Sequence, residues 1–437
     1  MAGVRDRELG ELGPWPAGIN NVVDEGRLPV TEEGAAYALR DAQNVDLDKA
    51  GWPSRRRGQE RVFQGTLTHS LWSDDELSFG LLVDDGQLHA IAPDGSVEPL
   101  GRVVGSLPLS YTLVNDRVYF SSRAACGIVT QGLEVFDWAP EQPAGVPQVD
   151  AVSGYGLTRG QYQILVTFTD VLGRESGCGR AVAIELADDS GIQLSSIPKP
   201  ADPTTSPLVN IYCSDPNDQV MRLATTIPAG TASGMITSAA QGRALTTQFL
   251  VPLPAGQIVR NVNGRQYVAV GREVLYSEPL RYGLYNPVRN RIRFNAEVDV
   301  MEPAGNEGLF VASGKRTYWL GGRDPADFSQ RIARMAGAVP GSGIRVPGNV
   351  LGLETTEDMP VWLARSGHFC VGMPSGAIAV LKDGEAVVPS ADRAAVLFRQ
   401  QDGLQQIIAA LRGPRSQGLA VGDKLIAHVI YDGAAIE

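Results

Sequence analysis

Cysteine and histidine are scarce in this 437-residue sequence, with four residues of each type. The cysteines lie far apart and form no CxxC pair, and no histidines have the spacing of a metal-binding motif such as HExxH. Isolated cysteines of this kind are typical of buried small apolar residues in a chain made in a reducing compartment. We therefore expect no metal site and no cofactor.

The sequence also lacks the common catalytic motifs: no GxSxG elbow, no P-loop and no dinucleotide-binding glycine fingerprint follows a predicted strand. Residues 46–51 resemble the start of a calcium loop but lack its later ligands and closing glutamate. Adjacent carboxylates occur in predicted turns, whereas a glycosidase needs two that face each other across a cleft. We expect no catalytic residues and no enzyme. The paired acids are Asp74 with Asp75, Asp84 with Asp85, and Asp188 with Asp189.

Long apolar runs are missing too. No run approaches the roughly 20 residues that span a bilayer, and residues 1–13 have no apolar core of a secretory signal. We expect no membrane-spanning segment and no secretion. The formal charge of −11, from 38 basic and 49 acidic residues, repels a phosphate backbone over most of the surface. Contact with DNA is therefore expected to be weak and limited to a local basic face.

Glycine (50 residues) and proline (28 residues) are abundant. They separate short apolar runs, as in residues 77–92, where two strand patterns flank Asp84-Asp85-Gly86, a strong hairpin signal. Similar units recur about every 40 residues, which is the spacing of β-propeller blades. The sequence predicts an all-β protein with few helices, at 32–39, at 391–399 and as one turn near 325–331. The later hairpin units lie at 109–122, 262–278, 308–321 and 368–384.

Residues 151–250 interrupt this repeat with longer alternating strands. The stretch 160–170, a turn, and 181–186 form a long hairpin pattern that is typical of a fibronectin-like β-sandwich. The predicted organisation has four parts: an N-terminal extended arm with the first strand, propeller blades, the sandwich insertion, and the remaining blades. Their bounds are 1–60, 61–150, 151–250 and 251–437. We further expect strand 42–48 to close the propeller against the C-terminal strand 424–431, leaving residues 1–30 as a free arm.

Two basic clusters are candidate interface sites. The first is the run Arg55, Arg56 and Arg57, which is either a solvated turn or a contact for phosphate or an acidic subunit. The second interleaves arginines with aromatic residues, a combination typical of protein interfaces. Its members are Arg281, Tyr282, Tyr285, Arg289, Arg291, Arg293 and Phe294.

Several phrases together resemble one family. Residues 18–21 (GINN) precede Arg27-Leu-Pro29, and residues 39–48 (LRDAQNVDLD) precede Arg55-Arg-Arg-Gly58. This order is similar to the N-terminal signature of bacteriophage tail proteins, the tail nozzle or packaged-DNA stabilisation proteins and related tail-tip proteins. Residues 160–176 and 262–283 resemble the sandwich insert and a later part of such proteins.

The resemblance implies a propeller with an inserted domain that assembles around the tail axis as a homo-oligomer, either a ring or a trimer or hexamer. It implies a structural role in the nozzle, baseplate or tail tip, other tail proteins as partners, and a virion location after synthesis in the host cytoplasm. It implies no catalytic residues. Two alternatives stay open: a module that recognises host-surface glycan or protein, and a carbohydrate-active propeller enzyme.

Overall fold

The structure is a computed structural model, and it describes residues 14–15, 18–24, 27–28, 38–41, 45–47, 51–55, 61–187, 189–382, 386–388, 390–401, 404–413 and 426–429. The chain divides into two compact units, one of residues 63–293 and the other of residues 1–62 with 294–437. In the N-terminal part, the short strands β1 (Val45–Leu47) and β2 (Pro53–Arg55) pair antiparallel.

The 63–293 unit begins with two four-stranded antiparallel sheets, called blades 1 and 2, in which each strand pairs with the next along the chain. Their hairpins turn where the sequence predicts them: Asp85 and Gly86, like Asn115 and Asp116, have positive φ angles, as a two-residue type I′ turn requires. Blade 1 contains β3 (His69–Trp72), β4 (Gly80–Asp84), β5 (Gln87–Ile91) and β6 (Val97–Val103). Blade 2 contains β7 (Ser110–Val114), β8 (Arg117–Ser121), β9 (Cys126–Val129) and β10 (Val135–Phe136).

A two-sheet β-sandwich follows. Its three-stranded sheet has the order β11-β14-β17 and its four-stranded sheet the order β13-β12-β15-β16, and one core of buried side chains joins the two sheets. The predicted sandwich is therefore present, and its assignment to the fibronectin type stays a prediction. The strands are β11 (Gln148–Leu157), β12 (Gly160–Thr169), β13 (Val182–Leu186), β14 (Ser190–Ser195), β15 (Leu208–Ser214), β16 (Met221–Pro228) and β17 (Ser233–Ile236).

Blade 3 completes this unit. Its four strands are β19 (Ile258–Val262), β20 (Arg265–Val270), β21 (Glu273–Tyr276) and β23 (Arg291–Arg293). A short strand in the loop between β21 and β23, β22 (Leu284–Tyr285), pairs with β18 (Val251–Pro252), which lies in the segment that precedes β19. Blade 2 lies between blades 1 and 3. Alternate side chains of its strands point to opposite faces of the sheet, so it packs against both. Val118 and Phe120 pack against blade 1, whereas Tyr119 packs against blade 3.

The other unit repeats this plan with blades 4, 5 and 6. Blade 5 is the middle sheet: Val361 and Leu363 face blade 6, and Trp362 between them faces blade 4. Blade 4 contains β24 (Val298–Pro303), β25 (Gly308–Ser313), β26 (Arg316–Gly321) and β27 (Ser329–Arg334). Blade 5 contains β28 (Ile344–Pro347), β29 (Asp358–Leu363), β30 (Phe369–Gly372) and β31 (Ile378–Val380), and blade 6 contains β32 (Arg393–Gln401), β33 (Leu404–Arg412) and β34 (Ile426–Val429).

The predicted fold class, all-β with propeller blades, is confirmed. One turn of 3-10 helix, Pro325–Asp327, lies where a turn was expected, and a second forms at Gly348–Leu351. The helix predicted at 391–399 is wrong. This stretch forms β32, because Ala394, Val396 and Phe398 alternate towards the core against β33. The helix predicted at 32–39 falls mostly outside the described residues.

The N-terminal segment is attached to its own unit. The Asn21 side chain donates to the Val387 carbonyl and accepts from the Val387 N–H, both at 2.9 Å. The buried Asp46 carboxylate lies 3.4 Å from the Arg399 guanidinium. The prediction of a free arm over residues 1–30 is therefore wrong at Asn21, while residues 1–13 lie outside the described residues. Among described ladders β1 pairs with β2 and β34 with β33, so closure of 42–48 on 424–431 stays a prediction.

Candidate docking surface

Charge is unevenly distributed along the chain. Residues 240–293 contain eight arginines and two glutamates, with no lysine and no aspartate, in a protein whose net charge is −11. This segment includes blade 3 and six of the predicted interface residues. A local excess of positive charge on an acidic protein produces a field that attracts an acidic partner to one place.

The loop between β21 and β23 brings this charge to one end of blade 3. The Leu280 N–H donates to the Gly264 carbonyl at 2.7 Å, so the loop lies beside the turn that joins β19 to β20. Leu280 is 74% exposed and Val288 is 80% exposed. We call this surface the basic face; its members are Leu280, Arg281, Val288, Arg289 and Arg291.

Glu278 holds the basic face in shape. Its Oε1 accepts from Arg289 Nη2 at 2.8 Å and from Asn290 Nδ2 at 2.9 Å, and its Oε2 lies 3.9 Å from Arg265 Nη1. Burial alone would raise the pKa of the Glu278 carboxyl, but these hydrogen bonds and the neighbouring arginine charges outweigh burial and lower the pKa. The carboxylate thus stays charged at neutral pH and anchors the loop.

The two predicted tyrosines serve the scaffold. The Tyr282 ring meets the Tyr119 ring edge-on, with centroids 5.9 Å apart, and Tyr285 pairs with Val251 in the small β18–β22 sheet. Both tyrosines pack against the core between blades 2 and 3. The apolar side chains that reach solvent are Leu280 and Val288, which sequence reasoning missed; the charge count over 240–293 is the signal that could have pointed to them.

Backbone strain coincides with exposed apolar side chains here. Leu280 has φ +56° and Phe249, which is 73% exposed and precedes β18, has φ +64°. Such a left-handed conformation costs a non-glycine residue about 1 kcal/mol or more, and persists where the surroundings determine it. The structure therefore holds two large apolar side chains in water at a cost, which is characteristic of a binding surface.

The remaining predicted residues lie elsewhere. Arg55 is exposed at the end of β2, in the other unit, whereas Arg56 and Arg57 lie outside the described residues. The structure thus brings Arg281, Tyr282, Tyr285, Arg289 and Arg291 together in one loop region. Arg293, at the end of β23, pairs with Glu273. Phe294, named with the second cluster, is buried against Tyr318.

A buried polar network lies on the outer face of the four-stranded sandwich sheet. The Glu175 carboxylate accepts hydrogen bonds from the Thr167 hydroxyl at 2.6 Å and the Tyr212 hydroxyl at 2.7 Å, and pairs with Arg243 at 3.1 Å. Burial, together with the nearby carboxylate, raises the pKa of Tyr212 to about 12 despite a hydrogen bond from Arg243. The network ties the segment at Arg243, which leads towards Phe249, to the sandwich.

A cavity of about 370 Å³ opens beside Phe249, between the sandwich and the chain entering β18. Its lining is mainly apolar, with Leu165 and Leu250 among the residues and Arg180 as its charged side chain. Cys178 also lines it. The cavity thus extends the apolar surface that Phe249 presents.

Within the described part of the chain, no group of three or more His, Cys, Asp or Glu side chains is placed to hold a metal ion. In the same part, none of the helices has the length and apolar character required to cross a membrane.

Comparison with known proteins gives no family assignment. No family model matches the sequence, and no curated protein matches it. Solved structures that are similar include the gluconolactonase XC5397 from Xanthomonas campestris, at 11% identity and a TM-score of 0.33 over 79% of this chain and 83% of that one. Others are BBS1N in complex with ARL6DN, at 11% identity and 0.32 over 79% and 88%, and YCF48 bound to D1 peptide, at 11% and 0.29 over 79% and 91%. Likeness at this level indicates nothing about activity or partners.

Proposed function

We propose that this chain is a structural component of a bacteriophage tail, in the nozzle, baseplate or tail tip, that acts by assembling with other proteins. The observation that carries the assembly role is the basic face, where Leu280 and Val288 are exposed among arginines. Arginine with exposed apolar side chains is the composition of protein interfaces. The tail location is supported by the resemblance of residues 18–58, 160–176 and 262–283 to tail proteins.

The basic face favours a protein partner over nucleic acid. A phosphate backbone is bound by charged and polar side chains, and it offers nothing to large apolar groups such as Leu280 and Val288. An acidic protein surface with apolar side chains matches both features.

Labelling of particles tests the tail role. Antibodies against this chain, detected with gold in negative-stain electron microscopy, should mark tails of the phage that encodes it. Antibodies absorbed with the purified chain serve as the control and should give no label. Gold confined to capsids, or particles without label although the protein is present in the lysate, would contradict the proposal.

A further inference from the structure

Blade 1 carries the opposite charge to blade 3. Residues 63–101 contain seven carboxylates and no lysine or arginine. The loop from β3 to β4 contributes Asp74, Asp75 and Glu76, and the turn from β5 to β6 contributes Asp94. A hydrogen bond from the Ser96 hydroxyl and another from its backbone N–H lower the pKa of Asp94, so it is charged at neutral pH.

These four carboxylates lie at one end of blade 1. Trp72 pairs with Leu81 and Gly80 pairs with Ile91, so the β3–β4 loop and the β5–β6 turn emerge at the same end of the sheet's strands. Leu71, which directly precedes the last residue of β3, is 70% exposed. We call this surface the acidic face; its members are Leu71, Asp74, Asp75, Glu76 and Asp94.

The acidic and basic faces point in the same direction. Ser70 of β3 bonds the Leu109 N–H and Trp72 stacks on Tyr111 at 5.5 Å, so β3 and β7 run parallel side by side. Ser110 bonds Val259 N–H at 3.1 Å and the Tyr111 carbonyl accepts from Arg260 at 3.4 Å, so β7 and β19 also run parallel. The first loops of blades 1, 2 and 3 therefore emerge at the same end of the 63–293 unit.

Blade 2 separates the two faces. Its own loop at this end contains Asp116 beside Arg117, a mixed pair, and Glu134 lies in its last turn. One surface of the unit thus presents negative charge with an apolar side chain at one side, mixed charge in the middle, and positive charge with apolar side chains at the other side. Such a pattern is self-complementary after a rotation of 180° about the middle.

We propose that two copies of this chain pair through this surface with twofold symmetry, the acidic face of each copy docking on the basic face of the other. The proposal deepens the assembly function stated above by naming a second copy as the partner. Twofold pairing forms each charge contact twice, since residue i meets j and j meets i. Leu71, Leu280 and Val288 would leave water together, which accounts for their exposure in the single chain.

Charge reversal with exchange tests this pairing. R281E/R291E makes the basic face acidic, and D75R/E76R makes the acidic face basic. By sedimentation velocity the wild-type chain should have about twice its 46.6 kDa mass, and each variant alone should dissociate with a Kd at least tenfold higher. Mixed in equal amounts, the two variants should restore the dimer, because every reversed face then meets an opposite charge.

The matched control for R281E/R291E is R159E/R222E, which makes the same change in net charge at exposed arginines of the sandwich. It should leave the dimer intact. Recovery of the dimer in the mixture also shows that both variants are folded. A wild-type chain that stays monomeric at all concentrations, a mass above two chains, or no recovery on mixing would overturn the pairing. None of these results bears on whether antibodies label tails, so failure of the dimer and failure of the tail role are distinguishable.

Discussion

Replacing Glu175 by alanine removes the acceptor at the centre of the sandwich network. Its carboxylate, with a side chain 7% exposed, receives the hydroxyls of Thr167 and Tyr212 and the amide of Asn210 at 3.2 Å. Each buried donor left without an acceptor costs about 1–3 kcal/mol. Asn210 keeps a bond to Thr169 at 2.8 Å, and Thr167 can rotate, so Tyr212 bears most of the loss.

The Arg243 side chain is 62% exposed, and water replaces most of what it loses. The expected total is about 2–4 kcal/mol, less than the sum over all donors because the network members are coupled. Local opening at β12 and β15 should therefore become about 100-fold more frequent, since 1.4 kcal/mol corresponds to a factor of ten.

Hydrogen exchange measured by mass spectrometry reads this directly. Peptides that cover β12 and β15 should exchange about 100-fold faster in Glu175→Ala, while peptides of β29 in the other unit keep their wild-type rates. Glu185→Ala, at an exposed position of β13 in the same sheet, is the matched control and should change protection by less than about 0.5 kcal/mol. Equal effects of the two substitutions would refute the argument from the network.

Three further outcomes are expected. Gly283→Ala should lower stability by about 1–3 kcal/mol by calorimetry, because a Cβ would lie 1.8 Å from the Trp138 carbonyl oxygen, whereas Gly132→Ala, whose new methyl meets nothing nearer than 3.8 Å, should be nearly neutral. The pKa of Glu278 in the folded protein is lowered from 4.5, so its ionisation contributes to the free energy of unfolding above pH 4.5, and this contribution is lost as the pH falls through the folded pKa. Glu278→Gln should therefore be less stable than the wild type at pH 7. A difference in stability between the two proteins that fails to narrow in acid would contradict this. Residues 148–250 expressed alone should melt cooperatively by circular dichroism, because the seven sandwich strands share one core; a gradual transition would show that they depend on the blades.

The hairpins could be predicted from sequence because their signals are local. Asp85-Gly86 and Asn115-Asp116 adopt positive φ angles that few other residue pairs tolerate, and apolar runs flank them. The strand β32 could not be predicted in this way. Its alanines favour a helix, and only pairing with β33, which offers Ile407 and Ala409 to the same core, makes the extended form preferable.

The candidate surface was predicted only in part, because some of its features depend on contacts that are distant in sequence. Arginines near aromatics indicated an interface around Arg281 to Arg291, but the sequence pattern does not show which side chains face water. Tyr282 turns inward because blade 2 supplies Tyr119 for it to pack against, and Leu280 stays outside because its N–H is bonded to Gly264. Both facts depend on residues far away along the chain or across a sheet.

A docking loop binds more tightly when little order must be gained on contact. In the basic face this order exists beforehand: Glu278 fixes Arg289 and Asn290, and Tyr282 is packed into the core beneath. The cost appears instead as the left-handed backbone at Leu280, which only a rigid surrounding can impose. The contacts of the scaffold thus offset the cost of the left-handed backbone and hold Leu280 and the neighbouring arginines in one arrangement. A surface held in this way is suited to the two identical contacts that the proposed twofold pairing forms.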